Sequence, residues 1–230
     1  MLGTIVNSVA IMLGSIVGML LGGRLSERIS QTITKALSLC ILVIGISSAI
    51  KSNDQMLCVI SVALGSLIGE ALDLDKRLSG LGNKLQSVLS KNDKSTLSEG
   101  FVSATLLYCI GAMAILGSMS SGLKGDHSIL FTKSILDGIT SIVLASTLGI
   151  GVMFSGISVF VYQGCITLFS IFLQKYVVDA MIVEVSAVGG ILILGIAFNM
   201  MGITKIKVAN MLPSIFVAVA YYYIFAMITS

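Results

Sequence analysis

Charge is what this sequence is shortest of. Asp, Glu, Lys and Arg together make up 11% of its 230 residues, where soluble domains carry about 25%. Apolar residues make up 56% and the mean hydropathy is +1.03. A soluble domain has no means of hiding that much apolar surface. A bilayer removes the difficulty, because lipid tails are as apolar as leucine. Histidine occurs once, at His127, with no His or Cys neighbour, so no paired-imidazole metal site is expected. The four cysteines, Cys40, Cys58, Cys109 and Cys165, lack CxxC spacing and all lie in apolar stretches. They read as buried small hydrophobes rather than as a metal or disulfide set. HExxH, GxSxG and phosphate-loop patterns are missing as well, which leaves a membrane enzyme without a nucleophile or metal to work with. The chain is expected to be no enzyme and to need no cofactor. Its net charge of +3 does not point to nucleic acid, because the basic residues sit in loops as the positive-inside rule requires.

What the sequence does hold is apolar runs of membrane length. Spans are predicted at 2–23, 34–50, 56–72, 101–120, 132–151, 155–174, 180–200 and 208–228. Eight spans of about 20 residues use roughly 160 residues, so a single membrane domain over 1–230 is expected, an all-α polytopic helix bundle in contact with the lipid bilayer. The count falls to seven if one segment is re-entrant; the fifth and sixth spans are separated only around Met153-Phe154-Ser155. The first run, from Leu2 to Leu21, lacks a preceding basic region and suits a spanning helix better than a signal segment. With the N-terminus outside, the inner loops carry Arg24, Arg28, Lys35, Lys76, Arg77, Lys84, Lys91, Lys94, Lys205 and Lys207, and the outer side carries Lys51, Lys124, Lys133 and Lys175. A bias of ten to four predicts that both termini face outside.

The long polar stretch 73–99 repeats Leu78, Leu81, Leu85, Val88 and Leu89 at helical spacing among basic residues. It reads as an amphipathic cytoplasmic connection on the inner leaflet, or as a solvated linker, with Gly80 and Gly82 weakening the helix. Ala36–Ile50 and Ser186–Met200 share Ile41/Ile191, Leu42/Leu192 and Gly45/Gly195 at an offset of 150. Each is the middle helix of a triplet, spans one to three and six to eight, and with two spans between them the triplets run in opposite senses. Inverted three-helix repeats are a recurrent architecture of secondary transporters.

Gly14, Gly18 and Gly22 stand four apart in the first span, and Gly65 and Gly69 repeat the device in the third. Such faces admit close helix approach, within one chain or in a homodimer. Polar residues at membrane depth are costly and informative. Asp137 and Lys133 lie four apart on one helix face, either as an interfacial ion pair with Lys133 snorkelling or as the lining of a hydrophilic pathway. Gln163, Tyr162 and Asn7 fall within spans, Asn199 and Asn210 flank the last loop, and Pro213, the only proline, would break the last helix. Glu70 with Asp73 and Asp75, and Glu184, are further acidic candidates.

These residues also carry a resemblance. YCIGAMAILGSMSSGLKGD (Tyr108–Asp126), FTKSILDGITSIVLASTLGIGVMFS (Phe131–Ser155), VFVYQG (Val159–Gly164), the opening GTIVNSVAIMLGSIVGMLLG and the late ANMLPSI resemble the bacterial membrane family called domain-of-unknown-function 554. The resemblance covers nearly the whole chain and implies a bacterial inner-membrane protein whose function is unassigned. Ser120 and Ser121 precede Gly122 where the family often has an acidic residue, which puts a cation-binding role at that loop in doubt for this chain. The residues and the resemblance together lead to the expectation of a secondary transporter or channel for a small solute or cation, with Asp137, Lys133, Gln163, Tyr162, Asn7, Asn199 and Asn210 as binding candidates. A non-transporting scaffold or envelope regulator is the alternative.

Overall fold

The computed structural model describes residues 1–22, 27–77 and 96–229. The amphipathic pattern through Leu78 and Leu89, with Gly80, Gly82, Lys84, Lys91 and Lys94, and also Arg24, lie outside them. Among the described residues the elements are α1 (Leu2–Gly22), α2 (Glu27–Ala49), α3 (Gln55–Leu72), α4 (Thr96–Cys109), α5 (Ala112–Leu123), α6 (Ser128–Leu148), α7 (Ile150–Leu173), α8 (Asp179–Met200), a 3-10 turn (Val208–Met211) and α9 (Pro213–Thr229). Six helices, α1, α2, α3, α6, α7 and α8, are long and apolar enough to cross a membrane. The described residues fold as a polytopic all-α bundle.

The fourth expected span is not continuous. It breaks between α4 and α5 with a 60° bend, at Gly111, whose φ of +141° is a conformation that side chains disfavour. The fifth and sixth spans meet at Gly149, φ +67°, four residues before the expected Met153 junction. Pro213 is the first residue of α9 and follows the 3-10 turn, a position where its missing N–H costs nothing.

The chain falls into two compact units, Met1–Leu37 with Ser79–Tyr176, and Ser38–Leu78 with Val177–Ser230. In the first, α1 packs between α6 and α7. A Cβ at Gly14, Gly18 or Gly22 would collide with the carbonyl oxygens of Gly138, Ile142 and Ser146 respectively. Both sets of positions advance by four together, so α1 and α6 run parallel, backbone against backbone. Against α7 the order reverses, since Thr4 meets Thr167 and Asn7 meets Gln163. The start of α4 lies at the junction of α6 and α7, with Gly100 against Leu148 and Gly151 against Leu97. The end of α5 lies at the far end of α7, with Gly122 against Thr167 and Ser170. The bent pair therefore runs the length of α7 once, from the start of that helix to its end.

In the second unit, Gly45 on α2 approaches Gly190 and Leu194 on α8, and Gly190 approaches Ala49. Gly65 and Gly69 on α3 approach Ser214 and Asn210. Both pairings are antiparallel. Gly45 and Gly190 are 145 positions apart, and the same shift carries Ala49 to Leu194, Gly65 to Asn210 and Gly69 to Ser214. Each contact thus has a partner contact with the two roles exchanged.

Lipid-facing surface is rich in Leu, Ile, Val and Phe. Two cysteines depart from expectation: Cys40 and Cys165 are exposed, while Cys58 is buried and Cys109 is half-buried. A thiol on an outward helix face is no more polar than the lipid requires.

Candidate functional site

α6 begins at Ser128, four residues before the expected start. Asp137 therefore lies about two and a half turns into it, about 14 Å along the axis, near the middle of a 21-residue helix. The helical spacing puts Lys133 one turn back on the same face. Its Nζ donates to Asp137 at 2.8 Å (Oδ1) and 2.6 Å (Oδ2). Lys133 is 7% exposed and Asp137 6%, so the lysine head is enclosed by the helices and does not extend outward from them.

The antiparallel packing of α1 on α7 adds two amides. Asn7 Nδ2 donates to Asp137 Oδ2 at 3.0 Å and to Gln163 Oε1 at 3.4 Å. Asn7 and Gln163 are fully buried, yet Asn7 Oδ1 and Gln163 Nε2 have no hydrogen-bond partner. Exchanging the amide atoms of Asn7 would turn its oxygen toward the carboxylate, so the assignment as donor is fixed by charge. One turn before Asn7, the Thr4 and Thr167 hydroxyls meet at 3.4 Å, and Ser8, next to Asn7, donates its hydroxyl to the Gly156 carbonyl at 2.7 Å.

The broken span reaches the same place. Tyr108, three residues before Gly111, is 1% exposed. Its hydroxyl pairs with Ser141 at 2.8 Å, and Lys133 Nζ stands 5.9 Å from its ring centroid, within cation–π range. Four of the expected residues, Asp137, Lys133, Asn7 and Gln163, are thus brought together, and Tyr108 and Ser141 join them. Sequence reading passed over Tyr108; the only signal for it was its place three residues ahead of a glycine in an apolar run. Tyr162 is half-buried beside Gln163 and takes no part in these hydrogen bonds. A groove of about 380 Å³ between α5 and α6, lined by Met113, Leu116, Ser128, Ile129 and Thr132, includes none of the cluster.

Asn199 and Asn210 belong to the second unit and are not among these hydrogen bonds. Asn199 receives the Ile206 N–H and the Thr204 hydroxyl, each at 2.8 Å, and donates to the Ile206 carbonyl at 2.7 Å, closing the loop after α8. Asn210 receives the Asp75 N–H at 2.6 Å and donates to Glu70 at 2.6 Å. Lys207 pairs with Glu70 at 2.9 Å, and the carboxylate beside it raises the Lys207 pKa above the ordinary lysine value. Glu184, 4% exposed, accepts from the Ser52 hydroxyl and, at 2.8 Å, from the Asn53 N–H, tying down the turn between α2 and α3. These carboxylates fasten loops. Among the described residues no group of three or more His, Cys, Asp or Glu is arranged to hold a metal ion.

Residues 2–223 match the family described as protein of unknown function, DUF554. The chain is 37% identical over 221 residues to the uncharacterized membrane protein YdfK of Bacillus subtilis (strain 168), covering 94% of this chain and 93% of the relative. It is 33% identical over 221 residues to the uncharacterized protein YqgA of Escherichia coli (strain K12), covering 94% of each. No solved structure is significantly similar.

Proposed function

The chain belongs to the DUF554 family of proteins of unknown function, and on that footing we propose that it is a secondary transporter or channel for a small solute or ion, working through the Lys133–Asp137 cluster. The observation that carries the reading is a buried ion pair at mid-helix beside a broken span. Ionisable groups at membrane depth are expensive and mark solute or ion pathways, and broken helices at the midplane are where transporters bind their cargo. Asp137 carries the coupling cation, Lys133 offsets its charge, and Asn7 and Gln163 offer hydrogen bonds to cargo. No catalysis is part of the reading.

The role-exchanging contacts in the second unit support a further element of the proposal: α2–α3 and α8–α9 are inverted copies in a register of 145 rather than 150. The Gly45–Gly190 approach lies on the two-fold axis. The second triplet divides between α7 and α8, and the first divides within α2, at Leu37. Lys133 is buried and leaves the tally of outer charges, so the loop bias grows stronger for a bacterial inner-membrane protein with both termini outside. A homodimer loses its motivation, because the glycine faces are filled within the chain.

A static scaffold is the second reading. It is favoured by the occupation of both Asp137 oxygens by donors. Liposomes loaded with ion-sensitive dyes separate the two. The transport reading expects a flux of protons, sodium or potassium that Asp137→Asn abolishes. Liposomes with purified protein that are as tight as empty ones toward all three support the scaffold.

A further inference from the structure

We infer that the ion carried by this cluster is a proton, and that sodium, potassium and divalent metal ions are excluded from it. The inference rests on the transport reading above and names its ion.

The first argument is the supply of ligands. Both Asp137 oxygens receive N–H groups, from Lys133 at 2.8 and 2.6 Å and from Asn7 at 3.0 Å. The ammonium occupies the ground a metal ion would need. A hard cation asks for about six oxygen ligands, and Asn7 Oδ1 is the cluster's one unpartnered acceptor. Gln163 contributes an unpartnered donor, Nε2, which repels a cation.

The second argument is charge. Lys133 and Asp137 sum to zero, and the other ionisable groups in electrostatic reach of the pair are Tyr108 and Cys109 on α4; Tyr162 on α7 lies beside Cys109, Glu99 stands at the far end of α4, and α1 and α5 bring none. A metal ion added to the pair leaves an uncompensated positive charge in a low-dielectric interior, which is heavily penalised. A proton need not. Along the 2.6 Å contact an N–H bond breaks at Nζ and an O–H bond forms on the carboxylate, leaving a neutral amine and a neutral acid. The acid then gives its proton to a water, which becomes hydronium, and the amine takes one from a hydronium on its own side. One proton has passed and every atom is restored. Asn7 Oδ1, an unpartnered acceptor on a fully buried side chain, offers the receiving water one hydrogen-bond acceptor.

Infrared difference spectroscopy of the full chain in lipid, titrated from alkaline to acid pH, tests this without any transport assay. The expected result is a protonated-carboxyl C=O band that is lost in Asp137→Asn, and whose midpoint moves in Lys133→Gln, a second variant should the first fail to fold. Sodium, potassium or magnesium chloride should leave the carboxylate bands unchanged. A shift on adding any of these salts that disappears in Asp137→Asn overturns the inference in favour of a metal site. A spectrum with no band sensitive to either variant overturns it in favour of a fixed ion pair. A titrating band in protein whose liposomes show no flux keeps the proton site and removes the transport reading. Sodium or potassium flux with a silent band does the reverse.

Discussion

The first unit buries an ion pair with two amides along α1, α6 and α7, whereas the second buries mainly alanine, valine, leucine and glycine along α8, with Glu184 the one buried carboxylate among the described residues there and bonded to the turn between α2 and α3. Both use the same packing device, glycines set against a neighbouring backbone. What differs is what the packing encloses. Small residues allow close approach in either unit, but among the described residues only the first sets a charge pair at mid-helix and bends a helix pair beside it. A polar interior in a membrane protein costs more than an apolar one, so the contrast is itself the reason to place function in the first unit.

The largest expected effect breaks the contrast at its centre. Lys133→Met leaves the Asp137 carboxylate buried without its counter-charge and should cost about 3–5 kcal/mol. Adding Asp137→Leu to it should restore much of that, because a buried pair replaced by apolar residues is often neutral or stabilising. Chemical unfolding in mixed micelles would read both, and additive losses would count against an ion pair. Next in size, Gly18→Leu and Gly69→Leu each force a side chain against a backbone carbonyl, and overpacking of this kind costs about 1–3 kcal/mol. Thermal midpoints should fall alike in the two variants, confirming that packing is the shared feature. Ser141→Ala, which strands the buried Tyr108 hydroxyl, should cost about 1 kcal/mol, as single hydrogen bonds in membranes do.

The smallest effect lies outside the membrane. Asp126 accepts from the hydroxyl and the N–H of Ser128, and these bonds hold its carboxyl below the ordinary aspartate range. Its folded-state pKa is the lower one, so its contribution is present above the unfolded value and is lost as pH falls through the folded value. Asp126→Asn should flatten the acid limb of a stability-versus-pH curve and leave the neutral range unchanged.

Much of this was legible beforehand. Apolar runs fix the spans, because backbone groups in lipid must be satisfied within helices. The i, i+4 spacing fixes Lys133 on the face of Asp137. The partners from other helices were not readable as partners: Asn7 and Gln163 lie 156 positions apart, and nothing local encodes the crossing of α1 over α7. Asp137 lies one turn deeper in its helix than a span starting at 132 implies, because α6 starts at Ser128, before the hydropathy rises. The break at Gly111 was hidden for a related reason. Glycine is common in membrane helices, and only its φ distinguishes a hinge from a packing contact. Proline drew attention to Pro213, where the chain merely starts a helix.

Proton flux into liposomes under an imposed pH gradient, read with a trapped dye, compares the units most directly when Asp137→Asn and Glu184→Gln are measured beside the parent protein. The account expects Asp137→Asn to abolish the flux and Glu184→Gln, a loop fastening in the second unit, to leave it near the parent rate. Parent-like flux in Asp137→Asn would contradict it.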